Sequence, residues 1–131
     1  MVTILNGEDK AALEWKRFSS MGEAIRSESG KKLTPVVYAI TDSDRNILYL
    51  GMTTNIRGLY ERYQGNDKAV DAAMDGSRKY VFIAHCPMNV KDVEKQLIFQ
   101  EKPKYNKLGK QNKPEKEILM EHKGDIPRFK L

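Results

Sequence analysis

A small mixed α/β domain of the α+β kind, with a three-stranded sheet flanked by helices, is the fold this chain predicts, on three observations. Residues 35–51, PVVYAITDSDRNILYLG, hold two short apolar runs, Val36–Thr41 and Ile47–Leu50, split by the polar cluster Asp42–Asn46. Runs rich in β-branched and aromatic residues around such a cluster are the pattern of a hairpin. Residues Lys79–Cys86 form a third run, in which Tyr80, Val81, Phe82 and Ile83 are unbroken by charge. Finally, Val90, Val93, Leu97 and Ile98 fall on one side when the chain turns by about 100° per residue, which is the stripe of an amphipathic helix.

Within the hairpin, a four-residue loop over Asp42–Arg45 would pair Thr41 with Asn46 and set Tyr38 opposite Tyr49. Val36, Ile40 and Ile47 would then share the tyrosine face, and Val37, Ala39, Leu48 and Leu50 the other. Neither face is polar, so helices should cover both. Two cross-strand tyrosines are either ordinary packing, which stabilises hairpins by roughly 0.2–1 kcal/mol, or a pair of phenols held at a site.

Residues 1–33 read as a helical extension packed on the core. Asn6 or Asp9 would cap a helix carrying Ala12, Leu13, Trp15, Lys16 and Phe18, and a second helix over Met21–Glu28 would stop at Gly30. After Gly51, Thr53 or Thr54 can cap a helix through Ile56, Leu59, Tyr60 and Tyr63 that also carries Arg57 and Arg62. Asn66 or Asp67 opens a further helix, Lys68–Met74, ended by Gly76. Asn89-x-x-Asp92 opens the striped helix as a variant capping box. Glu94 lies inside that stripe, and a carboxylate buried there alone would cost several kcal/mol. It must be paired, metal-bound or protonated, unless it sits at the margin and reaches Lys91 or Lys95.

Beyond this core, residues 34–108, the chain continues as a basic tail over 109–131, with a short amphipathic helix expected in Pro114–His122. Lys102, Lys104, Lys107, Lys110 and Lys113 carry no acid among them and are interleaved with Tyr105. Such a run is either a solvated face or a set of phosphate contacts. The formal charge of +5 and pI near 9.3 suit a polyanionic partner.

At 131 residues, 40% apolar and 31% charged, the chain fits one soluble domain. No run approaches the ~18 apolar residues of a membrane span, and no signal-like N-terminus precedes the domain, so a cytoplasmic protein is expected. The single cysteine, Cys86, excludes an internal disulfide and a multi-cysteine zinc site. His85 and His122 are too few for a histidine-based metal centre unless the fold brings them together.

Val36-Val37-Tyr38 and Tyr49-Leu50-Gly51, followed in order by Glu94, Pro103 and Asn106, resemble the motifs of the GIY-YIG nuclease superfamily. The resemblance runs from Val36 to Asn106, a little over half the chain. It implies a three-stranded antiparallel sheet flanked by helices, and metal-dependent hydrolysis of phosphodiester bonds in DNA, or in RNA. By the same resemblance Glu94 would ligate one divalent cation, Mg²⁺ (or Mn²⁺), Tyr38 and Tyr49 would position or deprotonate the attacking water, and Asn106 would complete the site. Lys102, Lys104, Lys107 and Lys110 would contact nucleic acid, with Arg57.

One part is displaced. Where the family carries an arginine on its first helix to bind the scissile phosphate, this chain has Leu59. Arg62 lies three residues on, about 60° round a helix, whereas Arg57 is turned by about 160°. Arg62 is therefore the expected phosphate ligand, as if three residues had been inserted. If neither arginine serves, the domain is a nucleic-acid-binding or scaffold module without cleavage. A nuclease with one such site would act as a monomer on one strand, or as a homodimer on two.

Overall fold

The computed structural model describes residues 10–28, 34–56, 59 and 68–130. Among these, the order is β1 (Lys10–Phe18), α1 (Met21–Glu28), β2 (Val36–Asp42), β3 (Ile47–Thr53), α2 (Lys68–Met74), β4 (Lys79–His85), α3 (Val90–Glu101) and β5 (Leu119–Gly124). The strands form one sheet in the order β3-β2-β4-β1-β5. The α+β class is as expected, but the sheet has five strands rather than three.

Both added strands lie where helices were expected. In β1, Leu13 and Trp15 are buried while Glu14 and Lys16 face out, the period of two that belongs to a half-buried strand. It pairs antiparallel with β4, Arg17 opposite Phe82. Strand β5 replaces the helix expected in Pro114–His122, and pairs parallel with β1, Trp15 opposite Gly124. The expected caps Asn6 and Asp9, the stop at Gly30, and most of the helix bearing Arg57 and Arg62 lie outside the described residues. Thr53, offered as a cap, is the last residue of β3, and its Oγ1 accepts from the Asn55 N–H at 3.2 Å.

Helices cover both faces. One face, with Trp15, Val37, Ala39, Leu50 and Phe82, packs on Val93 and Leu97 of α3. The other, with Val36, Tyr38, Ile40, Val81 and Ile83, packs on Met21 and Ala24 of α1, Val70 and Ala73 of α2, and Ile56 and Leu59. The capping box expected at α3 does not form: Asn89 is left-handed, at φ 61°, and its side chain makes no capping bond.

The hairpin register also differs from expectation. The loop is three residues long, closed by the Asp42 N–H donating to the Asn46 carbonyl at 3.1 Å, with Arg45 left-handed at φ 70°. Asp42 Oδ1 accepts from the backbone N–H groups of Asp44 and Asn46, both at 2.9 Å. Burial alone would raise the Asp42 carboxyl, but its bonds with Asn46 and Asp44, and the nearby Arg128, outweigh burial and hold it below the usual value. A bulge then leaves Leu48 unpaired between Thr41↔Ile47 and Ile40↔Tyr49, so Tyr38 stands opposite Gly51 rather than Tyr49. The bulge also exchanges Ile47 and Leu48 between the two faces.

Candidate functional site

Although they are not directly opposite, the two tyrosines remain on one face, with ring centroids 6.0 Å apart and planes inclined at 36°. Tyr38 is fully buried, and Tyr49 is half-buried at the edge of the sheet. The ring of Tyr38 lies over Gly51, where an added Cβ would come within 2.5 Å of its Cζ and Oη. The glycine beside Tyr49 is thus required by the other tyrosine, because no larger residue leaves room for that ring.

Strand β3 is an edge, and an edge exposes unpaired backbone groups. Here residues 105 and 106 meet them. The Tyr105 N–H donates to the Leu48 carbonyl at 2.9 Å. The Asn106 carboxamide accepts from the Leu50 N–H and donates to the Leu50 carbonyl, both at 2.8 Å. Asn106 is therefore tied to the residue between Tyr49 and Gly51, which fixes that stretch of β3 against the segment following α3.

An open cavity of about 460 Å³ lies between this edge, α2 and α3, and Tyr49, Glu94, Lys95, Tyr105, Asn106 and Lys107 are among the residues lining it. Glu94 enters it half-buried from α3, beside Ile98 of the apolar stripe. Of the residues singled out in the sequence, Tyr49, Glu94, Asn106 and Lys107 thus share one cavity. Tyr38 backs Tyr49 from the core. Lys102, Lys104 and Lys110 do not line it. The Lys102 ammonium donates to the carbonyls of Phe99 at 2.9 Å and Lys110 at 2.6 Å, and so closes the loop after α3. Arg57 and Arg62 lie outside the described residues, while Leu59 is fully buried in the apolar cluster around Tyr38.

Among the described residues, no group of three or more His, Cys, Asp or Glu side chains converges on one point. A metal in this cavity would take its protein charge from Glu94, with water completing the shell. One carboxylate with phenol and amide oxygens nearby is a hard donor set. It fits Mg²⁺, which keeps several waters, and does not suit zinc.

The sequence reading missed Lys95 and Tyr105 as cavity residues, although their positions next to Glu94 and Asn106 carried the signal. It also missed a polar cluster elsewhere. Glu28, fully buried, meets His85 Nε2 at 2.9 Å and Lys16 Nζ at 3.7 Å, and His85 Nδ1 meets the Thr34 hydroxyl at 2.5 Å. That cluster joins α1 to β1 and β4. Cys86 is buried, which raises its thiol pKa, and its Sγ faces the Met88 carbonyl at 3.2 Å, as expected of a small buried hydrophobe rather than a nucleophile.

No family model matches the chain, and no solved structure matches it. It is similar to UvrABC system protein C of Zymomonas mobilis subsp. mobilis (strain ATCC 31821 / ZM4 / CP4), at 27% identity over 130 residues, covering 96% of this chain and 19% of that protein. The chain thus spans less than a fifth of that relative's length. No helix among the described residues is long and apolar enough to cross a membrane.

Proposed function

We propose that this chain is a metal-dependent endonuclease of the GIY-YIG type, hydrolysing phosphodiester bonds in DNA. The observation that carries the reading is the convergence of Tyr49 from the sheet edge and Glu94 from α3 on one open, lysine-bordered cavity. The similarity to a UvrABC system protein supports a DNA-directed, nuclease-like role. The basic charge, +5, agrees with a polyanionic substrate.

In this reading Glu94 holds Mg²⁺ or Mn²⁺ through its carboxylate, and that cation, when bound, supplies charge stabilisation at the phosphate. Tyr49 holds the attacking water. A phenol with a pKa near 10 is a weak base at neutral pH, so Tyr49 serves first to position the water. Tyr38, buried behind Tyr49 and over Gly51, positions the phenol, and Asn106 positions the strand that bears it. Arg62 binds the phosphate, a role the burial of Leu59 denies to position 59. Lys104 and Lys107 add phosphate contacts, whereas Lys102 and Lys110 mainly hold their own loop.

The same buried Leu59 favours a second reading, a nucleic-acid-binding module without cleavage, if Arg62 does not reach the phosphate. Nicking of supercoiled plasmid with Mg²⁺ and with EDTA separates the two. Metal-dependent nicking supports the nuclease, and binding without nicking under either condition supports the module.

A further inference from the structure

Leu108 is 85% exposed, more than either of the other large apolar residues on the described surface, Met88 at 67% and Leu119 at 48%. It stands in the lining of the cavity that holds Tyr49 and Glu94, next to the exposed Lys107. A leucine on a loose loop would leave water by folding onto nearby apolar surface, and Ile98 lines the same cavity. Gly109 occupies that place instead: it is left-handed at φ +90°, and a Cβ on it would come within 3.1 Å of Ile98 Cγ2. The loop is held further by the Lys102 ammonium on the Phe99 and Lys110 carbonyls, and by the Lys110 ammonium on the Lys104 carbonyl at 3.4 Å. The chain is thus anchored on both sides of Leu108 while that side chain stays in water.

We infer that Leu108 is an apolar wedge for duplex DNA, entering between adjacent base pairs while Lys107 holds a phosphate at the cavity mouth. The inference rests on the nuclease reading, since it needs a bound duplex. An apolar side chain flanked by cations at a nucleic-acid site unstacks a base step and kinks the helix. Inserting it costs the stacking energy of that step, so a duplex with the step already broken is bound more tightly. Charge complementarity favours DNA over an apolar protein partner, because the flanking side chains include the exposed Lys104 and Lys107.

The test is binding of the full chain to a short labelled duplex, fully paired or with a central mismatch, in Ca²⁺ so that cleavage is withheld. Wild type should prefer the mismatched duplex by about tenfold or more, given an unstacking cost of a few kcal/mol per step. Leu108→Ser, at so exposed a position, should fold normally and lose most of that preference. Lys107→Gln should weaken both duplexes alike. Binding by wild type with no preference, or a preference kept in Leu108→Ser, would overturn the wedge and leave the nuclease reading standing. Binding of neither duplex would overturn both. A wild-type dimer made monomeric by Leu108→Ser would overturn the wedge in favour of self-association.

Discussion

The ring of Tyr38 occupies the space a side chain would need at position 51, with Cζ and Oη both 2.5 Å from an ideal Cβ there. The two residues are also paired across β2 and β3. Because the ring is fully buried among Ile40, Val70 and Ile83, it has nowhere to retreat. Gly51→Ala should therefore destabilise the fold by about 1–3 kcal/mol, the range for overpacking a core. In a Tyr38→Leu background the same change should cost clearly less, since the two sites share one volume. Urea unfolding of the four proteins reads this, and additive effects would refute the contact.

Asn106 binds both the N–H and the carbonyl of Leu50 and is 7% exposed. Asn106→Ala leaves both backbone groups short of a partner and should cost about 2–3 kcal/mol. Asn106→Asp keeps an acceptor for the Leu50 N–H but sets a carboxylate against the carbonyl, so it should not restore stability. A stable Asn106→Ala that is merely inactive would assign the residue to the chemistry instead.

Trp15 Nε1 donates to His122 Nδ1 at 3.0 Å, and Phe129 stacks on the imidazole with centroids 4.2 Å apart. Burial lowers the pKa of His122 below its usual 6.5. Protonation of Nδ1 would in addition break the bond from Trp15. Below pH ~6.5 the unfolded chain then binds more protons at this residue than the folded one, so stability is complete above that pH and falls as the pH falls towards the folded value. Melting temperatures of wild type and His122→Gln should diverge in slope below pH ~6.5. Parallel profiles would mean that His122 does not set the acid limb.

Leu59 is fully buried with Ile56, Val70 and Tyr38. An arginine there would bring an unpaired charge into the core, so Leu59→Arg should unfold the domain rather than improve it. Arg62→Ala should lower cleavage about 100-fold, near 3 kcal/mol, as expected for loss of one charge-stabilising donor. Arg57→Ala should do far less. A folded, faster Leu59→Arg would reverse this assignment.

What the sequence conveyed follows from how local each signal was. The hairpin, β4 and α3 were legible because each is a contiguous run with its own period, and that period also directed Glu94 toward the cavity. Strand β1 was not, because Ala12 beside Leu13 blurs its alternation and nothing nearby in sequence pairs with it. Its partner β5 lies more than a hundred residues away in the register Lys10↔Leu119, a contact no local pattern encodes. The bulge at Leu48 was invisible for a related reason, since two apolar neighbours suit either face. The site survived that error because beyond the bulge, from Tyr49 onward, the register is shifted by two residues, which returns those side chains to their expected face and leaves only Ile47 and Leu48 exchanged. Tyr38 therefore still met Tyr49, across a diagonal rather than a rung.

The most direct measurement is nicking of supercoiled plasmid by wild type and by Glu94→Gln, each in Mg²⁺ and in EDTA, with DNA binding followed alongside. Glu94→Gln keeps the shape of the half-buried side chain and removes the charge that would hold the cation. Metal-dependent cleavage at Glu94 predicts nicking by wild type in Mg²⁺ alone, and a loss of at least about 100-fold in Glu94→Gln, comparable to removing one electrostatic element of a site, with DNA affinity largely kept. Equal nicking by the two proteins, or nicking by wild type that persists in EDTA, would contradict it.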